Sequence, residues 1–381
     1  MKIRNWLKYS LFLILVLVIG FVAFASITGR TYLYKAVLYN FADIDDFKIF
    51  DNDQVQNGEG VPISESSVYN QSQMPEKLQN LHSSSGSVAF LVLKSDSVLF
   101  EKYWDGHSDS SISASFSVAK SITSILIGVA IKESLIHSVN DKVGLYLPEF
   151  NSGLKKELTI KDLLTMSSGS DWDESYANPF SVTTELYYGT DAYKTATSVS
   201  IVHKPGTLHV YKSGDTQLLG LILEKVTGKS LAEYASEKLW KPLGALKSAS
   251  WSTDRKGGHV KAYCCFNTNA RDFSRIGTLM LHKGIWNQKA VIDSSYWAAS
   301  VTPCNIKDAS GAECKYYGYQ WWIVPGEEQV FMAWGILGQF IIVIPSKEIV
   351  VVRLGKTEGP LGEGGFPELV YEMIDWAKKQ G

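Results

Sequence analysis

Ser117-Val118-Ala119-Lys120 sets a hydroxyl and an amine three residues apart, one turn from each other on the same face of a helix. The stretch they open runs from Ser121 to Ile136, and Ile122–Ile131 gives it three charge-free turns suited to burial. A lysine at the mouth of a buried helix loses its proton more easily than one in water. Such an amine can take the proton of a neighbouring hydroxyl and turn it into a nucleophile. A second S-x-x-K, Ser152-Gly153-Leu154-Lys155, lies in a polar, Gly-containing turn without that context and reads as chance. Tyr211, in Val210-Tyr211-Lys212-Ser213-Gly214-Asp215, is a candidate second proton carrier, on a loop just before a helix. Lys120 beside it would favour its phenolate and let it shuttle protons. Tyr211 is also one of 19 tyrosines, and on spacing alone a core role prevails.

The rest of the chain must hold these groups. With 381 residues, 45% of them hydrophobic, it can bury a large core in one domain or two interleaved ones. A net charge of -2 gives no basic excess, so nucleic acid is not an expected partner. Lys2, Arg4 and Lys8 precede an apolar run from Leu11 to Ile27, between a signal-peptide core of ~7–15 residues and a spanning helix of ~20. Ala23-Phe24-Ala25 offers a cleavage site, whereas Arg30, Tyr32, Tyr34 and Lys35 resemble a membrane interface. Residues 1–29 are therefore read as an anchor, with a removed signal peptide as the alternative. Either way the remainder is exported to the periplasm or cell exterior, and it is secreted if the segment is cleaved. Residues 30–84 read as an extended linker that wraps or spaces the domain, and 85–381 as the folded domain.

Within that domain, 88–93 and 98–104 form a hairpin pattern around Lys94-Ser95-Asp96-Ser97. Thr159 and Asp162 make a capping box, and Asp215 caps a helix from Thr216 to Thr227 ended by Gly228. Strands are expected over 317–324, 330–334, 340–344 and 349–354, with a last helix from 366 to 378. Strands at both ends with helices between imply an α+β fold. One antiparallel sheet is built from the two termini and flanked by helices, with a mainly helical subdomain inserted. The Ser117 helix leaves the sheet directly and lies at the boundary, a natural cleft.

Competing motifs fail. Gly228-Lys229-Ser230 imitates a P-loop end, but the earlier glycine position is Leu223 in a helix. The sequence holds no G-x-S-x-G elbow and no H-E-x-x-H. Among the seven histidines only His209, two before Tyr211, is placed near the site, and no metal or cofactor is implied. Asp272 and Arg275 read as a structural ion pair. Of four cysteines, Cys304 and Cys314 could close a short loop or pair with the Cys264/Cys265 couple, or all could stay free.

Ser117-Val118-Ala119-Lys120 resembles the S-x-x-K motif of penicillin-recognising enzymes, the serine β-lactamases and penicillin-binding proteins. Tyr211-Lys212-Ser213 resembles the Tyr-x-Asn motif of the class C branch, with Ser213 in place of the Asn, and Thr159–Gly169 is typical of that branch. The likeness spans roughly residues 85–375. It implies catalysis by Ser117, Lys120 and Tyr211, with Ser213 and Gly335 lining the substrate site. The third motif, a cation before a glycine, aligns with Ala333-Trp334-Gly335-Ile336, so Ala333 replaces the cation. That loss argues against β-lactam and D-Ala-D-Ala substrates, whose carboxylate the cation would hold. The oxyanion hole would use the backbone N–H groups of Ser117 and Ile336. The chain is most similar to esterases and 6-aminohexanoate-oligomer hydrolases, and on that likeness Tyr176 contacts a substrate amide. The expected activity is hydrolysis of small esters or amides through an acyl-enzyme. The rivals are a cell-wall D-amino acid peptidase or β-lactamase-type enzyme and an idle envelope-binding scaffold.

Overall fold

The apolar runs near the two ends of the folded domain and the long buried run after Ser117 produce a central sheet with helices on both faces. The computed structural model describes residues 2–326 and 328–380. From the N-terminus come α1 (Lys2–Ile27), α2 (Tyr32–Tyr39), β1 (Asn52–Val55) and α3 (Glu76–Ser84). The hairpin follows as β2 (Ser87–Lys94) and β3 (Ser97–Tyr103), then β4 (Ser113–Ala114) and α4 (Val118–Lys132). The middle of the chain holds α5 (Ile160–Leu164), α6 (Val182–Tyr188), α7 (Ala192–Thr197), α8 (Ser213–Thr227) and α9 (Leu231–Ala235). Next are β5 (Ala249–Ser252), β6 (Phe266–Thr268), α10 (Ala270–Leu281), β7 (Ile285–Trp286), β8 (Lys289–Ala290) and α11 (Ser294–Ser300). The chain closes with β9 (Trp322–Val324), β10 (Val330–Gly335), β11 (Gln339–Ile344), β12 (Ile349–Gly355) and α12 (Glu368–Lys378).

The main sheet has six antiparallel strands in the order β3-β2-β12-β11-β10-β9, so the two termini meet at the β2–β12 pair, with Val92 opposite Val351. Both faces are covered, which is why these strands read as nearly unbroken Val/Ile/Leu runs rather than alternating ones. Alternate residues feed two cores: Phe331 and Ala333 join the cluster holding α4 and α8, while Met332 joins the one holding α12. A second sheet, β1-β5-β6-β4, supports the entry to α4. The expected capping box forms, with Asp162 N–H donating to Thr159 Oγ1 and Thr159 N–H to Asp162.

Four expectations are corrected. Residues 31–80 are not a plain extended linker: β1 pairs with β5 and α3 packs against α12. Their partners lie far away in sequence, so little local periodicity marks them. Helix α8 begins at Ser213, which leaves Asp215 inside its first turn rather than at the cap. Only Trp322–Val324 of the 317–324 stretch is strand, because Tyr317–Trp321 turns inward behind the site, with Gln320 at φ +62°. The disulfide joins Cys264 to Cys265, its neighbour, and leaves Cys304 and Cys314 as thiols.

Candidate active site

Ser117 sits at the junction of the second sheet and α4, where Phe116 turns the chain at φ +45°. Every residue of α4 from Val118 to Ala130 is buried, so Lys120 in its first turn is withdrawn from bulk water. Its Nζ donates to Ser117 Oγ at 2.9 Å, Ser213 Oγ at 3.1 Å and the Tyr263 carbonyl at 3.1 Å. Loss of hydration pushes the amine down to about 8, and the Glu174 carboxylate pulls the other way. Much of the amine is therefore neutral near pH 8, the form that can accept a proton.

Tyr211 lies across the cleft with Lys120 Nζ 4.9 Å from its ring centre, and its ring packs against Tyr317 and Trp322. The expected phenolate is corrected here. Burial drives its hydroxyl well above the ordinary phenol value, and the Ser117 hydroxyl only partly offsets this. The Lys120 amine, 4.9 Å from the ring centre, does not offset this burial. Tyr211 is held as a neutral phenol, able to pass a proton rather than to strip one.

Ser213 lines the cavity and also stands beside Lys120, where it exposes a residue that motif reading missed. Its N–H and Oγ donate to Glu174 Oε2 and Oε1 at 2.7 and 2.6 Å, so the lysine reaches a carboxylate through one hydroxyl. Trp172 Nε1 and the Tyr176 hydroxyl also donate to Glu174, at 2.8 and 2.7 Å. The acidic, aromatic loop 171–176 was the available signal, although the sequence reading singled out only Tyr176. Tyr176 is exposed at the cavity wall, with its hydroxyl turned onto Glu174.

On the opposite wall, Gly335 ends β10 against the start of α4. A Cβ there would stand 2.3 Å from the Ser115 carbonyl and 3.1 Å from Ser117 N, so only glycine permits this approach. The approach brings Ile336 onto the same cavity wall as Ser117. The turn that follows is fixed from behind by buried Arg353, whose Nη1 donates to the Leu337, Gly338 and Thr357 carbonyls at 2.9, 2.7 and 3.0 Å. Ala333 is fully buried on the α4 side of the sheet.

These walls enclose a cavity of about 610 Å³, large enough for a small-molecule substrate. Ser117 is at its base, Tyr187, Tyr188, Tyr263 and Leu337 line it, and Glu358 is its one charged group among the described residues. Cys264 also lines it, so the Cys264–Cys265 bond stiffens the backbone next to the Tyr263 carbonyl that receives Lys120. Apart from this site, His209, Cys304 and Cys314 bring their ligand atoms within 4.8 Å of one another behind Tyr211.

A buried Ser-x-x-Lys helix start, a facing tyrosine and a glycine-tipped strand have relatives. The beta-lactamase family profile matches residues 76–367, about three quarters of the chain. The chain belongs to the beta-lactamase family. It is 29% identical over 290 residues to the 6-aminohexanoate-dimer hydrolase of Paenarthrobacter ureafaciens, covering 71% of this chain and 73% of that one. Among solved structures, a Bacillus anthracis protein provisionally named a 6-aminohexanoate-dimer hydrolase aligns with TM-score 0.72 and 22% identity over 88% of this chain and 92% of its own. A family VIII carboxylesterase aligns with TM-score 0.61 and 16% identity over 82% and 99%. The α+β fold with its N- and C-terminal sheet is that of these proteins, and the family is a hydrolytic one.

Proposed function

We propose that this chain is a serine hydrolase of uncharged esters and small amides that works through an acyl-enzyme on Ser117. The carrying observation is the 2.9 Å contact between Ser117 Oγ and a fully desolvated Lys120. Neutral Lys120 takes the hydroxyl proton as Ser117 Oγ attacks the carbonyl carbon. The N–H groups of Ser117 and Ile336 hold the developing oxyanion. Tyr211, still protonated, hands its proton to the leaving alkoxide or amine and recovers one from Lys120. Water then enters, loses its proton to the same pair and releases the acid.

Substrate class follows from charge. On the motif alignment Ala333 replaces the lysine or histidine that would grip a carboxylate, and no cation lines the cavity among its described residues. Glu358 at the wall and Glu174 behind Ser213 add negative potential, which repels β-lactam and peptide C-terminal carboxylates. Activated esters are the easier substrates and linear amides the harder ones. The apolar helix Lys8–Ile27 holds the enzyme at the membrane with its catalytic domain exported.

The test is turnover by the full chain in detergent. Uncharged p-nitrophenyl esters are expected to be hydrolysed by the native chain and not by Ser117→Ala. Nitrocefin and D-Ala-D-Ala peptides are expected to be poor substrates. Equal turnover by Ser117→Ala sinks the hydrolase reading. Nitrocefin hydrolysis at ester-like rates overturns the substrate class in favour of a cell-wall peptidase or β-lactamase.

A further inference from the structure

We infer that the bilayer surface forms part of the mouth of the Ser117 cavity, and that the substrates it admits are amphiphilic. In such a substrate an uncharged ester or amide carbonyl reaches Ser117 while an apolar tail stays among the lipids. This deepens the hydrolase reading and rests on it.

The first support is the path of the chain. Helix α1 is apolar over Lys8–Ile27 and almost none of that span is buried by protein, so its surface is free for lipid. A tight turn, with Arg30 N–H on the Ala25 carbonyl at 2.8 Å, leads straight into α2. Eight residues of helix advance only about 12 Å. The chain then reaches Asn40, Phe41 and Ala42, which line the cavity. The end of α1 also packs beside the cavity: Phe24 lies edge-on against Phe180 at 6.3 Å, just before α6, whose Thr183 and Thr184 line the cavity.

The second support is how α2 divides its faces. Tyr32, Leu33 and Ala36 are buried against Tyr188, a cavity residue. Val37 and Leu38 point the other way, 63% and 73% exposed, and Phe41 follows at 80%. Leu361 on the far rim of the cavity is 65% exposed. An apolar rim next to a membrane-length helix is a surface built for the headgroup boundary. Arg30 and Lys35, with Tyr39 at the end of α2, supply cations and an aromatic ring suited to that level.

The experiment uses the full chain in nanodiscs of phosphatidylethanolamine and phosphatidylglycerol. With p-benzoylphenylalanine at position 38 (Leu38→p-benzoylphenylalanine), illumination is expected to crosslink the protein to lipid. In parallel, Val37→Glu/Leu38→Glu is expected to hydrolyse water-soluble p-nitrophenyl acetate within about twofold of the native rate. The same variant is expected to lose about tenfold or more on p-nitrophenyl palmitate carried in the bilayer. Absence of lipid crosslinks, or equal loss on both esters, overturns the inference. Fluorophosphonate labelling separates the two readings. Lipid crosslinking without labelling of Ser117 refutes the hydrolase and with it the substrate assignment, whereas labelling without crosslinking refutes only the membrane-facing mouth.

Discussion

Replacing Glu174 by Gln tests whether Lys120 is the base and what sets its proton affinity. The path from Lys120 Nζ through Ser213 Oγ to Glu174 Oε1 has legs of 3.1 and 2.6 Å, so the two charges lie within about 6 Å. At an effective permittivity of about 20 their attraction is about 3 kcal/mol, the equivalent of about two pH units before relaxation. The carboxylate is the group that holds the lysine up against desolvation, so its removal leaves desolvation unopposed. A base must be neutral to act, and kcat/KM therefore rises with pH through the lysine's titration. In the native chain that rise is centred near 8. In Glu174→Gln it is expected about one to two pH units lower, with activity retained towards pH 6. The assay is kcat/KM for p-nitrophenyl butyrate between pH 5 and 9.5, with circular dichroism confirming the fold. An unmoved limb, or one displaced upward, refutes the coupling.

Further outcomes concern the scaffold. Gly335→Ala drives a Cβ to 2.3 Å from a carbonyl beside the nucleophile, so the strand must withdraw from Ser117. A fall of about a hundredfold in kcat is expected with KM little changed, read by ester kinetics. Arg353→Met leaves several buried carbonyls without a donor and should destabilise the fold by about 3–5 kcal/mol in urea titration, while ester turnover falls as the turn after Gly335 loosens. Burial raises Asp215 to about 7, so the folded state holds that proton where the unfolded chain has lost it. Its contribution to stability is present at acidic pH and lost as pH rises from about 4 to 7. Asp215→Asn should flatten that decline, worth up to about 4 kcal/mol in unfolding free energy by urea titration between pH 4 and 8, and an unchanged pH dependence would show the carboxyl is not held neutral.

The juxtaposition of Ser117, Lys120 and Tyr211 was legible because each sits in a local frame that sequence displays. A three-residue spacing at the start of a buried helix sets Ser117 against Lys120, and a short loop running straight into α8 sets Tyr211. The hairpin 87–103 and the strands 339–355 were legible for the same reason, since their apolar runs are bounded by clear turns. What escaped depends on partners distant in sequence. Glu174 acquires its role from Ser213, 39 residues away, and β1 from β5, about 200 residues away. The charge state of Tyr211 was misjudged because burial, which no motif states, outweighed the neighbouring Lys120. Bonding between adjacent cysteines left no spacing signal at all.

The central claim, an acyl-enzyme on Ser117 activated by Lys120, is most directly tested by intact-protein mass spectrometry of the full chain after reaction with a p-nitrophenyl alkylphosphonate. One phosphonyl adduct is expected, mapped to the peptide carrying Ser117. The adduct should be absent in Ser117→Ala, and in Lys120→Met it should form at least about a hundredfold more slowly. An adduct on another residue, or labelling of Lys120→Met at the native rate, would contradict it.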